Sequence, residues 1–132
     1  MKYLLDTCTV SDYFRRVGRV AERMHAAPPH ELALSTITEH EIRYGLAHQP
    51  RIANTLGGKV KSFLGVVPVL PFESRDAIAS AAIQAHLDRA GQPIGPLDVL
   101  IAGVALARDL VLVTSNKREF ERVEGLFIEN WR

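Results

Sequence analysis

The stretch MKYLLDTCTV, residues 1–10, decides how the rest of the chain is read. Residues 2–5 form an apolar run that reads as a buried strand, and it ends on a carboxylate, Asp6, with Thr7, Cys8 and Thr9 behind it in place of a Gly-rich turn. A strand with no polar alternation is buried on both faces, as in a parallel sheet covered by helices. A second such run, LVLVT at residues 110–114, ends on Thr114 and continues into Ser115 and Asn116. Ligand sites of parallel sheets lie outside the carboxyl ends of the strands, so Asp6 stands where a site is expected.

Strands and helices alternate between these two runs. A helix is expected over residues 10–26, closed by Pro28-Pro29, then a short apolar strand over 31–34 and a helix over 36–47. Residues 51–64 read as a helix interrupted or closed near Gly57-Gly58, and VVPVL at 66–70 as an edge strand, because Pro68 cannot donate to a central ladder. The Ala-rich stretch 74–89 reads as a long helix with Ile78, Ile83 and Leu87 on its apolar side. After the loop GQPIGP come a helix over 97–108, a short helix over 116–122 and a last strand at 127–128. The pattern predicts an α/β fold: a three-layer α/β/α sandwich on a mostly parallel sheet with right-handed crossovers, residues 1–132 forming a single domain.

Composition narrows the function classes. With 47% hydrophobic and 23% charged residues the chain is an ordinary globular protein, and no apolar run approaches the roughly 18 residues of a membrane span. Asp6 interrupts the N-terminus before a secretory signal can form, and the single cysteine, Cys8, allows no intrachain disulfide, so a cytoplasmic setting is expected. A net charge of +1 leaves any phosphate binding to local clusters of Arg and Lys.

Other acids fall where they can join Asp6. In GPLDVLIAGVAL, Gly95 suits a cap, Pro96 suits the first helical turn, and Asp98 falls inside that turn, where it also answers the helix dipole. Glu41 and Glu119 each have a local explanation: Thr36-x-x-Glu39 and Thr38-x-x-Glu41 fit capping boxes, and Asn116-x-x-Glu119 an analogous cap. Taken singly, capping is the simpler reading for each. Gathered at one rim, however, carboxylates ~4 Å apart repel by about 4 kcal/mol per pair at an effective dielectric of roughly 20. Such a cluster implies a hard divalent cation or protonation of some members, and an all-oxygen donor set selects Mg2+ or Mn2+.

YLLDT, ITEHEIRYGL, PIGPLDVLIAGVAL and LVLVTSNKREFERVEGLFIENW, in this order, resemble the PIN-domain ribonucleases, specifically the VapC toxins of prokaryotic toxin–antitoxin pairs, over nearly the whole chain. The resemblance implies a Mg2+-dependent endoribonuclease, Mn2+ being the other candidate ion, that acts on structured RNA such as tRNA. It implies a homodimer held inactive by a VapB-type antitoxin whose C-terminal segment occupies the active-site groove. Carried over by position, Asp6 and Asp98 are the principal metal ligands, Glu41 the third acid and Glu119 the fourth, with Thr114 and Asn116 in support. Cys8 stands where the family usually has Asn, which removes a hydrogen-bond donor near the acids; it is expected to be a small buried residue.

Basic residues are weaker candidates for RNA contact. Arg15, Arg19 and Arg23 recur every four residues along the expected first helix, a stripe equally explained as a solvated face partly balanced by Glu22. Lys117 and Arg118 follow the second apolar strand and are better placed to meet phosphate. The five histidines have no metal-binding spacing, and LGGKV lacks the leading Gly and trailing Ser or Thr of a P-loop. Two other readings compete: a phosphoryl-transfer domain with Asp6 as nucleophile, which wants a second Asp where Cys8 stands, and a PIN-like binding module without catalysis.

Overall fold

The computed structural model describes all 132 residues. Five strands, β1 (Tyr3–Leu5), β2 (Leu32–Ser35), β3 (Val69–Leu70), β4 (Val111–Val113) and β5 (Ile128–Glu129), form one sheet in the order β3-β2-β1-β4-β5, every pair parallel. β1 is central. The chain builds outward from it through β2 to β3, then returns to its other side to lay down β4 and β5. The order reverses between β1 and β4, and their carboxyl ends are the switch point at which ligand crevices of such sheets lie.

Alternation along β1 and β4 feeds two cores. Leu4 and Leu112 face a cluster built with α5 (Ser74–Arg89) and α6 (Pro96–Ala107), including Ile83, Leu87, Ile101 and Val104. Leu5 and Val113 face the opposite cluster, with Val10 of α1 (Thr7–Arg15), Val20 and Met24 of α2 (Val20–Ala26), and Phe63 of α4 (Pro50–Val66) packed on it. The expected three layers are present. α5 and α6 pack tightly at Gly103, where an added Cβ would lie 2.6 Å from the Ser80 Cβ and 2.9 Å from its Cα and N. Arg108, just past α6, ties the same helices together. Its guanidinium donates to Asp76 at 2.8 Å, Glu73 at 2.9 Å and the Pro71 carbonyl at 2.8 Å. Burial pushes the Asp76 carboxyl up, but the Arg108 and Glu73 hydrogen bonds outweigh it and hold the group below its usual range.

Several expectations are corrected. The first helix is two, because Arg16 (φ 55) and Gly18 (φ +59) adopt left-handed conformations between them; the arginine stripe is therefore split across α1 and α2. α4 runs unbroken through Gly57-Gly58 and absorbs Val66, leaving β3 only two residues long, though on the edge as Pro68 predicts. α5 has the expected bounds, yet Ile78 is 73% exposed while Ile83 and Leu87 are buried. α7 (Lys117–Phe120) is a single turn. Cys8 is exposed, not buried.

Candidate active site

Asp6 is the first residue past β1 and the N-cap of α1: its Oδ1 accepts from the Thr9 amide at 2.8 Å. The same carboxylate thus starts the helix and stands at the switch point. Thr9 ties that turn to the neighbouring strand, its hydroxyl donating to the Val113 carbonyl at 2.9 Å. Burial drives the Asp6 carboxyl up, hydrogen bonds from Thr114 and Thr9 oppose it, and the nearby Asp12 charge adds to the rise.

Asp98 lies in the first turn of α6, as the sequence indicates, though the helix runs from Pro96 to Ala107, one residue earlier at each end than the expected 97–108. Its carboxyl is pushed up to about 6 by burial, then by the charges of Asp6, Glu119 and Glu41 in that order. Four acids from four separate stretches therefore share one electrostatic neighbourhood. Cys8 lies in the same field, its thiol pushed up to about 11 by partial burial and then by Asp6, Asp98, Asp12 and Glu41.

Glu41 belongs to α3 (Thr36–His48), but it caps nothing. Ser35 is the N-cap, accepting from the Thr38 amide at 3.2 Å; Thr36 Oγ1 accepts from the Phe72 amide, and Glu39 pairs with Arg43 at 2.9 Å. Glu41 Oε1 instead accepts from the Thr7 hydroxyl at 2.6 Å, a short charge-assisted bond across 34 residues of sequence. Thr7 orients one oxygen of Glu41 and leaves the other open. Glu119 is held likewise: Asn116 Nδ2 donates to its Oε2 at 2.9 Å, and the Asn116 amide donates to the fully buried Thr114 Oγ1 at 2.9 Å. The cap expected at Asn116 is absent; its side chain aims an acid instead.

The donors available are carboxylate and hydroxyl oxygens with one thiol at the edge, a set suited to a hard divalent cation. No group of three His, Cys, Asp or Glu side chains stands in ligating geometry as the side chains lie. Thr7, Thr9 and Asp12 were not singled out by sequence. Thr7 and Thr9 lie in the DTCT segment directly behind Asp6, whereas nothing local marks Asp12, a buried acid held in a bidentate pair by Arg132 at 3.0 and 3.1 Å.

The basic candidates scatter. Arg15 lines a groove of about 280 Å3 between α1, α3 and α4, whose wall includes Thr7, Val10, Phe14, Glu41, Ile42 and Leu56. Arg19 pairs with Glu22, and Arg23 with Glu129 while covering Trp131. Lys117 lies 3.8 Å from Glu121, and Arg118 is exposed beside it on α7.

Acids at the switch point of a parallel sheet stand where the ligand sites of such sheets lie. In the family comparison, residues 3–126 match the model described as "PIN domain". The chain is 36% identical to the tRNA(fMet)-specific endonuclease VapC of Salmonella typhimurium, across 99% of this chain and 98% of that protein. It is 33% identical to ribonuclease VapC2 of Haemophilus influenzae over the same shares. Among solved structures, the DNA-bound VapBC of Salmonella typhimurium superposes with a TM-score of 0.90 at 35% identity, covering 100% of this chain and 99% of that one. VapBC2 of Rickettsia felis, bound to a promoter DNA fragment, gives 0.90 at 26% identity with both chains fully covered. The chain belongs to the PIN-domain family and, within it, to the VapC ribonucleases, the toxins of VapBC toxin–antitoxin systems.

Proposed function

We propose that the protein is a Mg2+-dependent endoribonuclease in which Asp6, Glu41, Asp98 and Glu119 form the active site, with Asp6 and Asp98 the principal ligands and Mn2+ an alternative ion. The observation that carries this reading is the convergence of the four acids: Glu41 is held at 2.6 Å by Thr7, the neighbour of Asp6, and the charges of Asp6, Glu119 and Glu41 all act on the Asp98 carboxyl. A bound divalent ion supplies Lewis-acid activation of water and charge neutralisation at the scissile phosphate. The chain's own groups do the rest. Thr9 and Thr114 steady Asp6, Thr7 fixes Glu41, and Asn116 fixes Glu119, so that each acid is held by a neighbour and the carboxylates would draw together around a bound ion. Lys117 and Arg118 on α7 would meet substrate phosphates, and Arg15 and Arg19 serve more weakly.

The RNA is read as tRNA-like, supported by the tRNA(fMet) specificity named for the Salmonella relative. The partner is read as a VapB-type antitoxin that inhibits by occupying the groove between α1, α3 and α4, in keeping with the VapBC complexes among the structural neighbours. A homodimer is expected from the family resemblance, and exposed Ile78 on α5 is an apolar side chain such a contact would cover. The test is cleavage of RNA with Mg2+, with and without EDTA, by wild type, Asp6→Asn and Asp98→Asn, followed by sequencing of the RNA ends. One dominant cut that needs the ion and both acids is the expected result. Cleavage that persists in EDTA, or unchanged in soluble Asp6→Asn protein, refutes the assignment.

A further inference from the structure

We propose that Tyr44 and His48 form a platform on which an unpaired nucleobase of the substrate stacks beside the acids, an inference that rests on the ribonuclease reading. The two rings lie face to face on α3, centroids 5.4 Å apart and 13° from parallel. The other aromatic pairs are edge-on or tilted, and most pack on the core beneath α1 and β1. This one is flat and open, with Tyr44 56% exposed.

Its position matters as much as its geometry. Glu41, Tyr44 and His48 follow one another along the same side of α3. At 100° and about 1.5 Å per residue, Tyr44 lies about 60° round the helix and roughly 4.5 Å beyond Glu41, and His48 only about 20° round and some 10 Å beyond. Gly45 lines the groove together with Glu41, and a Cβ added there would meet nothing within 4 Å, so the backbone beside the platform is clear. The surroundings suit a polyanion. Arg43 neutralises Glu39, and Arg51 stands three residues past His48 in the first turn of α4, a helix that carries no acid. Unpaired bases are held by stacking on exposed aromatic faces while cations hold the backbone, which is the combination present here. Glu41 thus divides two surfaces: the apolar groove on one side, suited to a protein segment, and the aromatic platform on the other.

The experiment uses the full-length protein. An oligoribonucleotide spanning the mapped cut, with 2-aminopurine on either side, is titrated against Asp6→Asn protein, which keeps the binding surface without turnover. Quenching of the probe on one side of the cut is expected. Tyr44→Leu in that background should weaken binding about tenfold or more, whereas Tyr44→Phe and His48→Phe, which keep the flat faces, stay within about twofold. In catalytically intact protein the Tyr44→Leu defect should fall on KM with kcat preserved. A folded Tyr44→Leu variant with unchanged RNA affinity and KM overturns the proposal. So does a variant whose only defect is in self-association or antitoxin binding, since the pair is then a protein contact. Wild type that neither binds nor cleaves RNA with Mg2+ or Mn2+ overturns the ribonuclease reading first, and is distinguished by failing before any variant is compared.

Discussion

Replacing Asp98 by asparagine should make the metal-free protein more stable at neutral pH while removing its activity. Moving a carboxyl from its ordinary 3.8 to about 6 corresponds to roughly 3 kcal/mol, at about 1.4 kcal/mol per tenfold change in proton affinity. The residue is only partly buried, and solvent screening reduces this to about 1–2 kcal/mol. The sign follows from linkage. The folded carboxyl holds its proton more tightly than the unfolded one, so its contribution to stability is fully present below about pH 4 and is lost as the pH rises through about 6. At pH 7 the wild type lacks that contribution and carries the repulsion of Asp6, Glu119 and Glu41. The asparagine side chain is nearly isosteric and carries no charge. In EDTA at pH 7 the variant should melt about 3–8 °C higher, and the gap should close toward pH 4.5. Saturating Mg2+ or Mn2+ should reverse the order, because an ion that binds only the folded wild type stabilises it by ~2.7 kcal/mol at a hundredfold excess over Kd. Thermal and urea unfolding across pH 4.5–8 read all of this directly. A variant no more stable than wild type in EDTA at pH 7, or a gap independent of pH, would show that the acids do not strain one another.

Further predictions concern the parts that hold the site and the fold. Thr7→Val removes the 2.6 Å bond to Glu41 and should slow RNA cleavage by about 10–100-fold, the equivalent of a charge-assisted hydrogen bond, whereas Thr7→Ser keeps the rate near wild type in the same assay. Gly103→Ala forces a methyl into the Ser80 backbone and should cost about 2–3 kcal/mol, seen as a lower urea midpoint at unchanged slope. Arg108→Ala strands the buried Asp76 charge and should cost about 3–5 kcal/mol. Because Asp76 is held below its usual range, its contribution to wild-type stability is present above pH 4 and fades as the pH falls through that lowered value. Acid titration of unfolding should show this fading in wild type and lose it in the variant.

Features written in local periodicity were legible before the structure. α5 spans residues 74–89 as read, and α6 carries Asp98 in its first turn, because an Ala-rich helical pattern and a Gly-Pro start need no distant partner. The breaks were less legible. Gly18 holds a left-handed turn against the far end of the chain, where an added Cβ would lie 2.4 Å from the Arg132 carbonyl carbon, and no neighbouring residue announces that contact. Gly57-Gly58 looked like a stop, yet both glycines have open space and α4 continues, anchored by buried Val60 and by Phe63. Ile78 and Cys8, apolar by type, are exposed, since burial depends on which face another layer covers.

The order of apolar runs and helical stretches was enough to specify a parallel, helix-covered sheet, and with it the edge at which Asp6 would stand. Those signals are short-range: pleat, helical pitch, proline and caps act within a few residues. Whether Glu41 and Glu119 cap helices or join Asp6 and Asp98 could not be settled at that range, because both readings fit the same local spacing. The strand order β3-β2-β1-β4-β5 sets the ends of β1 and β4 side by side, and the folded chain holds Glu41 through Thr7 and Glu119 through Asn116 rather than through backbone caps. Burial and mutual repulsion among those acids exist only once the chain has closed on itself.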